Sequence, residues 1–136
     1  MLVTADITLL YIYMDEKNMV IRCAEDKGWQ VHTSKSQAGD ALLFEFSKFT
    51  PAGQDFSFCA PMKGDSLYSF IREVEDFYED FDPDEEAYLW LDGNGHGKNG
   101  APYRMKDVLA DMEAAEAMVK ELLDALAVME SGMASG

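Results

Sequence analysis

Cationic side chains are scarce: 11 Lys and Arg stand against 26 Asp and Glu, a formal net charge of −15. Nucleic acids and anionic membranes attract the opposite sign, so direct binding to either is not expected. Cysteine is nearly absent. Cys23 and Cys59 are too few for a disulfide-stapled secreted domain, and each reads as a small half-buried hydrophobe. His32 and His96 form no C-x-x-C or H-x-x-x-H spacing with them, which removes the usual zinc patterns. No run of 18 apolar residues exists, whereas a membrane-spanning helix needs ~20. What is plentiful is core material. A hydrophobic content of 48%, with eight Phe, six Tyr and two Trp in 136 residues, suits one folded domain over 1–136 and excludes disorder of the whole chain.

The apolar stretch Leu2 to Tyr13 is interrupted by Asp6 and carries neither a basic leader nor a small-residue cleavage site. A signal peptide is therefore not expected, and the cytoplasm is the expected compartment. Residues 1–13 read in two ways, as a loosely attached extension or as a strand added at one sheet edge. Residues 15–27 place Met19, Val20, Cys23 and Ala24 at helical spacing, with Gly28 as a stop. Trp29 to Thr33 alternates as a strand does. Ala41 to Thr50 puts Leu42, Phe44 and Phe46 on one face, and Phe56, Phe58, Ala60 and Met62 do the same beyond the turn Pro51 to Asp55. This predicts a three-stranded antiparallel sheet with one aromatic face to be covered.

The cover follows at once. Asp65 or Ser66 caps a predicted helix carrying Leu67, Phe70, Ile71, Val74, Phe77 and Phe81, which Pro83 stops. Asp82-Pro83-Asp84-Glu85 is itself a helix start and opens a short segment, read as helical, ending in Tyr88-Leu89-Trp90-Leu91. The glycine-dense loop Gly93 to Gly100 leads to the longest predicted helix, 103–130, whose apolar stripe runs from Met105 to Met129. Residues 131–136 read as a frayed tail. The fold class expected is α+β, with helices packed on one face of the sheet.

Elements that resemble chemical sites fall short. Asp92-Gly93-Asn94-Gly95-His96-Gly97 matches the first half of a calcium loop, but position 12 is Tyr103 where a bidentate Glu belongs. Gly93-x-Gly95-x-Gly97-Lys98 has Asn99 where a phosphate loop needs Ser or Thr. No catalytic residue, metal or cofactor is expected, and the chain reads as no enzyme.

The acidic segment is more informative. Glu73 to Asp92 holds ten acids and no Lys or Arg. On the predicted helix Glu75/Glu79 and Asp76/Asp80 are like-charge pairs four apart, each costing ~0.2–0.5 kcal/mol. Glu79 and Asp80 also approach a helix C-terminus, where the dipole disfavours anions. One reading is a solvated face that keeps the protein soluble. The other is a track of carboxylates resembling nucleic-acid phosphate and offered to a basic groove.

The run Phe81-Asp82-Pro83-Asp84-Glu85-Glu86-Ala87-Tyr88-Leu89-Trp90-Leu91, with Gly100-Ala101-Pro102-Tyr103 and Lys106 to Ala115, resembles a family of small acidic proteins of gut-bacterial conjugative elements and prophages. Phe44-Glu45-Phe46 and Ser57-Phe58 around Pro51 to Asp55 resemble that family's hairpin, so the likeness spans roughly residues 28–128. It implies a context in which small acidic anti-restriction and anti-CRISPR proteins occur, several of them DNA mimics. The function expected is non-enzymatic inhibition of a host defence nuclease, first a CRISPR effector, by an acidic surface that blocks nucleic-acid access. The partner is then a basic nucleic-acid-binding protein, met by Glu75, Asp76, Glu79, Asp80, Asp82, Asp84, Glu85 and Glu86. The rivals are an interaction or regulatory module acting through Tyr88-Leu89-Trp90 and the long helix, as a homodimer or with a partner, and a small enzyme or ligand binder using the Gly93–Gly100 loop.

Overall fold

The computed structural model describes residues 15–135, with side chains to residue 132; residues 1–13, read above as an extension or an edge strand, lie outside the described residues. Asp15 caps helix α1 (Glu16–Asp26), its carboxylate accepting the Asn18 amide proton at 2.9 Å. This satisfies one of the first-turn N–H groups that no helical carbonyl can reach. Met19, Val20, Cys23 and Ala24 face the core. Gly28, at φ +89°, then turns the chain in the left-handed conformation that only glycine adopts without strain.

Trp29 is the first departure from the alternation. Its backbone N–H donates to Ala24 O at 3.0 Å, so it is spent on the helix end and strand β1 (Gln30–Lys35) begins one residue later. Strands β2 (Ala41–Phe49) and β3 (Asp55–Lys63) complete an antiparallel meander ordered β1-β2-β3. In its register Phe46 stands between Val31 and Phe58, and Phe44 between Thr33 and Ala60. One face therefore collects Phe44, Phe46, Phe56, Phe58, Ala60 and Met62, all buried. The other presents His32, Glu45 and Cys59 in one exposed cross-strand row. A one-residue slip would exchange the two faces, so burial fixes the register.

Helix α2 (Leu67–Asp80) covers the aromatic face. Ser66 is the cap, its hydroxyl accepting from the Ser69 amide at 3.1 Å. Phe70, Ile71 and Val74 are buried, and Phe77 stacks on Phe58 with ring centroids 4.5 Å apart. Trp29 meets Phe58 edge-on at 5.6 Å. Each such ring contributes ~1.5–3 kcal/mol through burial, and favourable ring geometry adds to it.

Helix α3 (Pro83–Tyr88) is capped by Asp82, which accepts from Asp84 N at 3.0 Å. The sequence reading carries this helix to Leu91; the structure ends it at Tyr88. Lys98 N donates to Trp90 O and Asp92 N to His96 O, at 2.9 and 2.8 Å, which pulls residues 90–92 into a bridge with the glycine loop instead of another helical turn.

Helix α4 (Met105–Ser135) packs against α1 and α2, with Val119, Leu122 and Leu126 fully buried in the core they share with the sheet. Its backbone stays helical past Glu130, where the sequence reading ends it. Gly132 costs the extra turn ~1 kcal/mol but does not stop it.

Two sets of polar contacts join the layers. Asp111 on α4, only 5% exposed, accepts from the Thr50 hydroxyl and from Ala52 N at 3.0 Å, fastening the β2–β3 loop to the helix. Lys48 projects from the aromatic face toward the end of α1. Its ammonium donates to Lys27 O at 2.8 Å, lies 3.8 Å from Glu121 and sits 5.7 Å over the Trp29 ring. A second, smaller core of Ala87, Leu91, Val108 and Met112 binds α3 to the start of α4.

Candidate acidic interface

Charge divides unevenly between the two layers. Residues 73–136, which are mostly the helices over the sheet, hold 17 of the 26 acids and four of the 11 Lys and Arg. On α2 the core stripe is Phe70, Val74 and Phe77, so Asp76, Glu79 and Asp80 fall on the far side and are exposed. Glu75 sits on the flank, half-buried, and pairs with Arg72 at 3.4 Å. Nothing basic occupies the last turn of α2.

The eight carboxylates picked from the sequence do not behave as a set. Asp76, Glu79, Asp80, Asp84 and Glu85 are exposed, and no ion pair holds any of them among the described residues. Glu75 has its arginine and Asp82 its capping duty. Glu86 turns away from the exposed run into a cleft against β3, lined also by Asp55, Ser57, Leu89, Trp90 and Asn99. Half-burial there pushes its carboxyl above the ordinary glutamate range. The structure thus brings five acids to the surface along the end of α2 and the start of α3, and gives three other work.

Sequence reasoning missed the contribution of α4. Glu116, Lys120 and Asp124 follow each other at intervals of four along that helix. Lys120 hydrogen-bonds Asp124 and reaches 6.0 Å over the Tyr78 ring of α2, which sets this row beside Glu75. The hydrogen bond to Asp124 raises the Lys120 pKa, and the Glu75 carboxylate adds to it. The face between α2 and α4 thus joins Glu75, Glu116 and Asp124 with two cations, Arg72 and Lys120. The spacing was visible in the chain; what it lacked was any sign that α4 packs along α2.

Beyond α3 the glycine loop is an ordered structure built on one carboxylate. Asp92 accepts from Asn94 N at 2.8 Å and from His96 N at 3.0 Å, and these amides hold its pKa below the usual aspartate range, His96 first. His96 stacks on Tyr103 at 4.2 Å. Lys98 to Ala101 closes as a tight turn with Asn99 at φ +57° and Gly100 at φ +87°, the pair of positive angles that an Asn-Gly dipeptide tolerates. Both amides engage the same oxygen of Asp92, and among the described residues no group of three or more His, Cys, Asp and Glu is placed to hold a metal.

The module also carries apolar surface. Tyr88 and Leu89 are 69% and 65% exposed, and Tyr103 and Met105 are exposed as well. The chain matches no protein-family model, no curated protein and no solved structure. Its class is therefore read from the fold itself: an α+β domain in which, among the described residues, helices cover one face of a three-stranded antiparallel sheet. Among the described residues no helix is long and apolar enough to cross a membrane.

Proposed function

We propose that this protein is a non-enzymatic inhibitor of a host defence nuclease, a CRISPR effector in the first instance. Its acidic helices would occupy the basic groove that otherwise holds DNA or guide RNA. The observation that supports this is that Asp76, Glu79, Asp80, Asp84 and Glu85 are each exposed and without cationic partners among the described residues. A phosphate-like surface needs free anions, since an ion-paired carboxylate offers no net charge to a partner. The resemblance to small acidic proteins of mobile elements supplies the same context.

Binding of this kind would displace counterions from the groove and weaken as salt rises. Replacing Asp76, Glu79, Asp80 and Glu85 with Lys should abolish inhibition of nuclease cleavage while leaving the circular dichroism unchanged. Inhibition that survives the four reversals would refute the mimicry.

One observation favours a second reading, a protein-interaction module of a mobile element. Tyr88, Leu89, Tyr103 and Met105 expose large apolar side chains within one short module, and surfaces of that type mark protein contacts. Sedimentation that shows a concentration-dependent dimer with no affinity for a nuclease would establish it over the first.

A further inference from the structure

The cleft that receives Glu86 has none of the five exposed acids of α2 and α3 in its lining and has a different chemistry. It encloses about 300 Å³ between the start of β3 and the α3 turn, with Asp55 and Ser57 on one side and Glu86, Leu89, Trp90 and Asn99 on the other. Two acidic residues of separate elements, Asp55 and Glu86, thus line the same space as Trp90. Neither Asp55 nor Glu86 has a Lys or Arg within ion-pair distance among the described residues. Glu86 has no hydrogen-bond donor there either, although it is half-buried. The free protein leaves this carboxylate partly stripped of water and uncompensated, a state that a cation entering the cleft would relieve.

We propose that the cleft is a receptor for an arginine side chain of the partner protein, its guanidinium paired with Glu86 and lying against Trp90. A guanidinium suits these walls better than an ammonium. It is planar and can stack on an indole while its edge donates two parallel hydrogen bonds to a carboxylate. Asn99, held with a positive φ in its tight turn, and Ser57 offer oxygens for the remaining N–H groups. Long-range attraction to the acidic face would bring a basic partner in, and this cleft would fix one residue of it. The protein origin of the arginine rests on the proposed function; the affinity of the cleft for a guanidinium does not.

The test is titration of the whole protein with N-acetyl-arginine amide, followed by amide and indole resonances in heteronuclear NMR. Shifts should concentrate at Trp90, Asn99, Ser57 and Glu86. N-acetyl-citrulline amide, the same shape without charge, should bind at least about tenfold more weakly, as should arginine amide to Glu86→Gln. The conservative Glu86→Gln keeps the fold, and Asp55→Asn gives a second variant on the opposite wall. Equal binding of citrulline, undiminished binding by both variants, or shifts confined to the α2 acids would overturn the site. No nuclease takes part, so the result stands whether or not the four reversals abolish inhibition. If the site binds arginine but Glu86→Gln inhibits the nuclease as well as wild type does, the assignment of the arginine to that partner falls.

Discussion

The acids at the end of α2 carry functional weight only if the fold would be better off without them, and this can be measured. In the double variant Glu79→Lys/Asp80→Lys, two anions leave a last turn that holds no base. Each reversal removes an unfavourable interaction with the helix dipole of ~0.3–1 kcal/mol and replaces it with a favourable one. Glu75 and Asp76 would then each meet a lysine four residues on where an acid now stands. That is the better orientation, with the acid N-terminal, and each pair swings by ~0.4–1 kcal/mol at low salt. Both sites are exposed, so the lower ends of these ranges apply, and physiological salt reduces them further. The expected net gain is about 1–2 kcal/mol, or a Tm higher by about 3–10 °C for a domain of this size. Thermal unfolding followed by circular dichroism reads it directly, and the gain should shrink in 1 M salt.

A matched control lies a few residues on. Asp84 and Glu85 open α3 beside the Asp82 cap, where a helix start favours anions. Reversing both should lower stability by about 1 kcal/mol on the same low-end dipole arithmetic. If the α2 reversals leave Tm unchanged or lower it, those acids are not held against the interests of the fold, and the case for a basic partner loses its premise.

Three further outcomes follow from particular contacts. Asp111→Ala strands the buried Thr50 hydroxyl and takes the acceptor from the part-buried Ala52 amide, and should cost about 1–3 kcal/mol in urea unfolding; the double variant with Thr50→Val should lose less than the two singles together. Gly97→Ala should destabilise the glycine loop strongly, because an added Cβ would fall 1.7 Å from the Pro102 carbonyl oxygen; unchanged Tm would refute that packing. Glu86→Gln should stabilise at pH 7. Its folded pKa is raised by burial, so the stability contributed by protonated Glu86 is present below the ordinary glutamate pKa of ~4.3 and lost as pH rises through the folded value. The advantage of Gln over Glu should accordingly vanish in unfolding curves taken near pH 3, about one unit below that ordinary value.

Most of the fold was legible because its signals were local. Alternating phenylalanines on either side of Pro51 to Asp55 define the hairpin, and Ser66, Asp82 and Pro83 mark helix starts through their own side-chain chemistry. The failures were tertiary. Trp29 belongs by pattern to a strand but loses its backbone N–H to the end of α1. Leu89 to Leu91 extend a helical pattern, yet the returning glycine loop takes the hydrogen-bonding groups that another turn would use. The Asn99-Gly100 dipeptide announced a tight turn, and the reading of the loop as glycine-rich passed over it. Glu86 shows the same limit at the candidate site. Nothing in Asp84-Glu85-Glu86 distinguishes the third acid from the first two until α3 is laid beside β3.

That distinction changes what the acidic segment can do. A field of free carboxylates attracts any basic surface and discriminates poorly, since each exposed charge contributes little to affinity and salt screens it. Discrimination comes from groups that a partner must fit, in desolvated places near the centre of a contact. Here the two kinds of acid are separated by the fold. Asp76, Glu79, Asp80, Asp84 and Glu85 project into solvent, while Glu86 is drawn into a cleft beside Trp90. Exchanging charge at the first group should change the rate of association and its salt dependence, and changing Glu86 should change the rate of dissociation.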